Sequence, residues 1–320
     1  MENKAKSGVF KYQHSWSIPQ TIENLEVALA NDWDISISTS GSTGAPKEIL
    51  LPAASMIYSA ENSNEFLGAK PGDRWSLLLS PEHTAGLNVL VRSIKLGTKP
   101  ATQKESAQFT AIVPTQLFRA LNGDDELLKH LQGCRAVLVG GAAADEQLLQ
   151  RSKELGINCV TTYGMTETSG GCVYNGAPLP GVEIRIGETI EIKGPMLARV
   201  PLQDGYFVTS DLGKLENGKL IVLGRADDVI NSGGKKVSLS KVERALGETF
   251  AAFGTDNSEW GSSLNIATSS SLNSISDDEI QLILNVKFGV KALNIFRVDE
   301  IPRTALEKVD RQALIARLIR

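Results

Sequence analysis

Between Trp75 and Thr161, short apolar runs alternate with helix-patterned stretches, and this alternation restricts the possible folds more than any other feature of the chain. The apolar runs are Trp75 to Leu79, Phe109 to Val113, Ala136 to Val139 and Ile157 to Thr161. Between the first two, Leu87, Leu90, Val91 and Ile94 recur at i, i+3, i+4 and i+7 before Gly97, which predicts a helix with one core face. Helical segments run to Leu131, and a further helix from Ala144 to Leu155 passes through Gly156 into the last run. Strands alternating with helices require right-handed crossovers and a largely parallel sheet, with ligands bound where strands end in loops.

The flanks extend this picture. Asp34 to Leu51 reads as strand, Ser/Thr/Gly loop, strand, and Ala53 to Phe66 as a helix closed by Gly68. After Gly181 the pattern changes to short alternating segments, Val182 to Ile186, Thr189 to Ile192, and Lys214 to Leu223 broken by the hairpin signal Asn217-Gly218. Beyond a polar, glycine-rich stretch at Arg225 to Lys236 lies a smaller unit. It contains a helix opened by Ser240, with Glu243 at capping-box spacing, strands at Ile280 to Val286 and Leu293 to Val298, and a last helix. Ser269 to Asp278 reads as a Ser/Asp-rich linker. The expected class is α/β with an α+β small domain. Residues 1–226 form a large N-terminal domain with a mostly parallel sheet plus an antiparallel β subdomain, and residues 227–320 a small mobile C-terminal α+β domain.

Composition narrows the partners. The chain has 320 residues and a formal charge of -4, so it has no strong basic field for nucleic acid or an anionic membrane. No stretch approaches the roughly 20 apolar residues that span a bilayer, and Met1 to Lys11 is polar. Cys134, Cys159 and Cys172 show no metal-ligand spacing and read as packed, reduced thiols. A small-molecule partner, no membrane insertion and a cytoplasmic location are expected.

Four segments carry chemistry. Ser38 to Lys47 (Ser-Thr-Ser-Gly-Ser-Thr-Gly-Ala-Pro-Lys) combines glycines, hydroxyls and a lysine suited to phosphate. It is not the loop of kinases and GTPases, which would need glycine at Pro46, a hydroxyl at Glu48 and a following helix. Thr161 to Thr168 follows a predicted parallel strand and offers Tyr163 to stack on a base, Thr166 for phosphate and Glu167 as a hard ligand for magnesium. Thr209-Ser210-Asp211-Leu212-Gly213 and Gly224 to Val237 place Asp211 to take a ribose diol with Arg225 in support. The fourth segment, Ile301 to Arg311, holds Lys308.

Together, in this order from Ser38 to Arg311, these segments resemble the signature set of the adenylate-forming superfamily, which includes acyl- and aryl-CoA ligases, peptide-synthetase adenylation domains and firefly luciferase. The resemblance implies ATP, Mg2+ and CoA as cofactor and co-substrates. It places Thr39, Ser40, Gly41, Ser42, Thr43, Gly44 and Lys47 on the ATP phosphates, and Tyr163 and Gly164 on adenine near Gly140, Gly141 and Ala142. Thr166 and Glu167 would serve phosphate and metal, Asp211 and Arg225 the ribose, and Lys308 would bridge carboxylate and phosphate during adenylation. Asp227 would be the hinge of the small domain, with CoA entering along Gly233-Gly234. Glu307 departs from the family, which usually has glycine before the lysine, and the chain lacks much of the usual N-terminal subdomain.

Finer similarities, in Pro81 to Leu87, Val113 to Leu117 and Tyr163 to Tyr174, resemble the compact branch of the family that ligates o-succinylbenzoate to CoA for menaquinone synthesis. There His83 would border an aromatic carboxylic acid and Arg92 would meet its second carboxylate; His14 and His130 read as surface residues. The implied chemistry has two steps, an acyl-adenylate with release of pyrophosphate, then displacement of AMP by the CoA thiol. Another aryl- or acyl-CoA ligase, an enzyme loading a carrier protein and a non-catalytic nucleotide-binding derivative are the alternatives; a homodimer is expected.

Overall fold

The computed structural model describes residues 8–40, 46–247, 249–257, 261–269, 275–303 and 309–319. By its internal contacts the chain divides into two units, Met1–Thr209 with Lys214–Ile221, and Ser210–Gly213 with Val222–Arg320. The fold is mixed α/β, as the alternation of strands and helices requires.

The first unit is organised by a six-stranded sheet in the spatial order Trp75–Ser76, Phe109–Ile112, Ala136–Val139, Cys159–Met165, Gly170–Tyr174, Ala177–Pro178. The first four strands are parallel and the last two antiparallel. Along Ala136–Val139 successive side chains alternate faces, and both faces are covered. Ala136 and Leu138 join Trp75, Phe109, Val89 and Tyr174, while Val137 and Val139 join Ile112, Leu117 and Leu131. That is why the strand reads as an unbroken apolar run. The helix Thr84–Lys95 is buried nearly all round, so its core face is wider than the apolar stripe that announces it.

A second, three-stranded sheet sets Asp34–Ser40 between Val9–Lys11 in parallel and Pro46–Pro52 antiparallel. Its Ile35, Ile37, Ile49 and Leu51 pack with Leu25, Ala28, Leu87 and Leu90. Leu25 and Ala28 belong to the helix Ile18–Ala30, for which the sequence reading made no assignment. Ser17 and Gln20 cap each other there and Pro19 occupies the first turn, a start signal present in the sequence. Farther on, Glu183–Ile186, Ile190–Lys193 and Phe207–Val208 form an antiparallel sheet. The hairpin of Asp211–Glu216 and Lys219–Arg225 turns on Asn217 and Gly218, both at positive φ (51° and 75°).

The second unit corrects three sequence expectations. Its sheet is built on the long hairpin Phe250–Asn257 and Gly261–Ser269, joined by Val229–Ser232, Lys235–Ser238 and Asn294–Val298. The expected strand Ile280 to Val286 is part of the helix Asp277–Phe288. Ser276 and Glu279 form a capping box at its start, three acidic residues fill its first turn, and Gly289 ends it at φ 66°. Ser276 to Asp278 therefore start this helix, Ser269 ends a strand, and residues 270–274 of the expected linker lie outside the described residues. Finally, the helix Leu239–Leu246 is capped by Ser238, not Ser240, and Glu243 is turned to other partners. Val242, Leu246, Phe250, Leu264, Ile266, Ile280 and Leu284 form the core of this unit.

The helix at Asp277–Phe288 makes a sharp prediction, because in a strand Ile280, Leu282, Leu284 and Val286 would share one face. Here Leu284 is fully buried whereas Leu282 is 61% exposed. Leu284→Ala should cost about 2–5 kcal/mol in denaturant titration, and Leu282→Ala no more than about 0.5 kcal/mol. Equal losses would restore the strand.

Candidate active site

The strand Cys159–Met165 changes partners halfway. Val139 with Thr161 is the last parallel pair and Thr162 with Tyr174 the first antiparallel one, with a register shift between Tyr163 and Gly164. Thr161 to Met165 is thus part of the strand rather than the loop after it, which corrects the sequence placement. The Ala136–Val139 strand ends beside this change, and its continuation Gly140-Gly141-Ala142 is half-buried to exposed. A Cβ on Gly140 would collide with the Thr162 hydroxyl, and Gly141 sits at φ +81°. A Cβ on Gly164 would fall into the backbone of Gly170, so the irregular crossing of these strands requires glycine. The half-buried Tyr163 ring packs against the cluster of Cys172, Val173, Ile190, Ile192, Met196 and Leu220.

Thr166, Glu167 and Thr168 form a single 3-10 turn after the strand. The Thr168 hydroxyl accepts from the Met165 amide (2.9 Å) and donates to the Gly170 carbonyl (2.7 Å), closing the turn, and the Ala198 amide donates to the Glu167 carbonyl (2.8 Å). Thr84 at the start of its helix donates to the Thr166 hydroxyl at 3.1 Å. Among the described residues no side chain bonds or ion-pairs the half-buried Glu167 carboxylate. A carboxylate without a side-chain partner among the described residues suits Mg2+, which is commonly held by one or two carboxylates together with substrate phosphates.

The phosphate-loop segment is closed at its base. Thr39 pairs with Lys47 and Ser40 with Pro46, and the Thr39 hydroxyl donates to the Lys47 carbonyl at 3.2 Å. Gly41, Ser42, Thr43 and Gly44 lie outside the described residues, as do Glu307 and Lys308. His83 occupies the N-cap position of Thr84–Lys95 but makes no side-chain cap bond, so capping does not account for it. His130 is not a free surface residue: it is half-buried, bonds the hydroxyl of buried Ser76 at 2.7 Å, and burial lowers its pKa.

The helix Thr84–Lys95 carries a polar row that its apolar periodicity concealed. Thr84, Asn88 and Arg92, four residues apart, are all buried. The Asn88 amide donates to the Ser169 carbonyl at 2.6 Å while its own oxygen has no partner. Arg92 lies over the Trp75 ring (4.8 Å) and donates to the Tyr174 hydroxyl (3.3 Å), but its Nε is unbonded and burial pulls its pKa down. Four-residue spacing of polar side chains within an apolar helix was the signal available for Thr84 and Asn88.

In the second unit, Asp211 is buried and Arg225 exposed, 4.0 Å apart across the base of their hairpin, and the Ala226 amide donates to the Ser210 carbonyl (2.7 Å). Gly233 and Gly234, at φ 59° and 77°, form the exposed tip between Val229–Ser232 and Lys235–Ser238. Asp227 follows Arg225 and Ala226 in a short 3-10 turn.

The model of the AMP-binding enzyme family matches residues 28–191, half of the chain. The chain belongs to the AMP-binding enzymes. Among curated proteins it is 37% identical to the probable 2-succinylbenzoate-CoA ligase of Mycobacterium tuberculosis, over 90% of this chain and 85% of that protein. It is 27% identical to the 2-succinylbenzoate-CoA ligase of Listeria monocytogenes, over 98% and 76%. The solved o-succinylbenzoate CoA synthetase of Bacillus subtilis, in complex with its acyl-adenylate intermediate, is similar at a TM-score of 0.77 and 26% identity, over 88% of this chain and 68% of that one. The same enzyme with ATP and magnesium ion gives 0.75.

Gly164→Ala should lower stability by about 1–3 kcal/mol through overpacking against backbone, read by chemical denaturation. The same substitution at Gly133, which like Gly164 has no positive φ but has open space where the Cβ would sit, isolates crowding from backbone torsion. Equal losses at the two positions would remove the crowding argument.

Proposed function

We propose that the chain ligates 2-succinylbenzoate to CoA in menaquinone synthesis, through an acyl-adenylate, releasing pyrophosphate and then AMP. Arg92 is the observation that carries the substrate. It is a buried guanidinium with no carboxylate partner among the described residues, on the same helix face as Thr84, which bonds Thr166. An isolated buried charge is unfavourable unless something pairs with it, and the second carboxylate of a dicarboxylic acid supplies that partner. The 37% identical relative named for this activity supports the same reading.

In this reading residues 1–226 form the adenylate-binding domain and residues 227–320 the lid. Thr39, Ser40, Gly41, Ser42, Thr43, Gly44 and Lys47 hold the phosphates; Tyr163, Gly164 and Gly140 to Ala142 hold adenine, and Asp211 with Arg225 the ribose. Glu167 holds Mg2+, which neutralises charge on the phosphates when bound. Thr166 serves the phosphate, His83 borders the aromatic ring, and Lys308 bridges carboxylate and α-phosphate, positioning and electrostatic work that needs no acid-base dyad. Gly233 and Gly234 line the CoA path, and Asp227 is the hinge. The free thiols Cys134, Cys159 and Cys172 suit a reducing cytoplasm, and gel filtration would check the homodimer that belongs to this reading.

Incubation with ATP, CoA and 2-succinylbenzoate, read by mass spectrometry, should give the thioester and AMP. Arg92→Met should raise KM for this acid by about ten- to hundredfold, since a charge-assisted hydrogen bond contributes about 1.5–3 kcal/mol. An analogue lacking the second carboxylate, the one that is not activated, should be used equally well by both proteins. Equal effects on the two acids would detach Arg92 from recognition.

Lys308→Ala should slow adenylation about a hundredfold, since removing a cation from the transition state costs on the order of 3 kcal/mol. Supplied with preformed acyl-adenylate, the variant should make thioester at near the normal rate. Equal slowing of both steps would deny the lysine its single-step role.

A further inference from the structure

Arg311 opens the last helix, Arg311–Leu318, three residues after Lys308, and its guanidinium gathers groups from three other elements of the same unit. One Nη donates to both oxygens of Glu243 on Leu239–Leu246, at 3.0 and 2.9 Å, and ion-pairs with Asp228 at 3.0 Å. Nε donates to the Ala252 carbonyl at 2.9 Å, while the Ala252 amide donates back to Glu243 at 2.9 Å, closing a ring. Asp228 is buried, and its second oxygen accepts from the Ser238 hydroxyl and from the amide and hydroxyl of Ser240. This occupies Ser240, which the sequence had assigned to a cap.

Just before the helix, Val309 bridges Arg303 and the Asp310 amide donates to the Pro302 carbonyl at 2.8 Å, so the two ends of the segment carrying Lys308 are tied together. Asp228 adjoins Asp227. We infer that Arg311 is a positioning residue: with Glu243 and Asp228 it fastens Asp310 and the start of the last helix, which follow the lysine segment, to the residue beside the hinge. The lysine's role rests on the function proposed above, whereas the fastening rests on these contacts alone. A fork held at both carboxylates and a carbonyl fixes direction as well as distance, which a single lysine ammonium could not do.

Burial pushes the Glu243 carboxyl up to about 7, against the pull of Arg311 and the Ala252 amide; Asp228 raises it and Arg303 lowers it further. Glu243 therefore gains its charge, and the ion cluster its full set of partners, as pH rises through about 7. Adenylation should rise with it.

Two measurements on the full-length protein test the inference. Without any substrate, hydrogen exchange of the Asp310 amide should be at least tenfold faster in Arg311→Gln and Arg311→Lys than in the wild type; unchanged exchange overturns the fastening. With ATP and 2-succinylbenzoate, Arg311→Lys should slow adenylation at least tenfold while thioester formation from preformed acyl-adenylate changes less than twofold. Glu243→Gln should abolish the rise in adenylation around pH 7. Equal slowing of both steps, or a pH profile unchanged by Glu243→Gln, overturns the positioning role. Absence of adenylation in the wild type would instead sink the ligase reading and leave the exchange experiment to decide the fastening.

Discussion

The strand Cys159–Met165 has to satisfy two neighbours of opposite sense, and much of the first unit is arranged around that requirement. Up to Thr161 it continues a parallel sheet whose faces are buried; from Thr162 it pairs with a strand running the other way. The transition needs close backbone approach at Gly164, room for the Thr162 hydroxyl beside Gly140, and a bonded turn at Thr166 to Thr168 to reverse the chain. Those constraints fix Tyr163, Thr166 and Glu167 relative to Gly140-Gly141-Ala142. Residues held on strands are placed more precisely than residues on loops, so the nucleotide site proposed here would take its geometry from sheet pairing.

The same region contains the least comfortable group in the core. Arg92 is desolvated, lies over Trp75, and leans on Tyr174, which is itself bonded to Ser63 at 2.5 Å. Trp75 in turn donates to Asn64, and Asn64 to the Arg92 carbonyl. Within this row of contacts only the Arg92 Nε lacks a partner, as does the neighbouring Asn88 oxygen. A core under selection for stability alone would favour an apolar residue at position 92, because a buried charge left partly unpaired is destabilising. Its surroundings hold the cation in place without neutralising it, which is the arrangement a charged ligand requires.

The sequence revealed several elements where pattern and burial coincide, though not the helix Ile18–Ala30 with its buried Ile22, Leu25 and Ala28. Ala136–Val139 and Ala53–Phe66 fall where their apolar runs and flanking glycines put them. It misled where two periods fit the same residues: Ile280 to Val286 alternates like a strand, and only the Ser276/Glu279 cap and Gly289 favour the helix. In the site, Tyr163, Thr166 and Glu167 were legible as a motif because local chain geometry keeps them together. The row Thr84, Asn88, Arg92 was harder, because its polar members interrupt a helix read for its leucines, and their partners Ser169 and Tyr174 are about 80 residues away. Arg311 posed the same difficulty: nothing in Asp310-Arg311 indicates Glu243, 68 residues earlier in the chain.

Glu243 also shows that positioning and stability pull in opposite directions. Its carboxyl titrates at about 7 in the fold, above the ordinary 4.5, so between those values the folded protein holds a proton that the unfolded chain releases. Its contribution to stability is therefore complete below about 4.5 and is lost as pH rises through about 7. Over that interval the Arg311 pair acquires its full charge. The ionised cluster is thus the less stable form of the fold and the more rigidly defined one, with desolvation of the carboxylate only partly offset by Arg311, Arg303 and the Ala252 amide. A neutral, well-packed substitute would stabilise the small unit more, but it would have no fork with which to set the direction of Asp310 and the last helix.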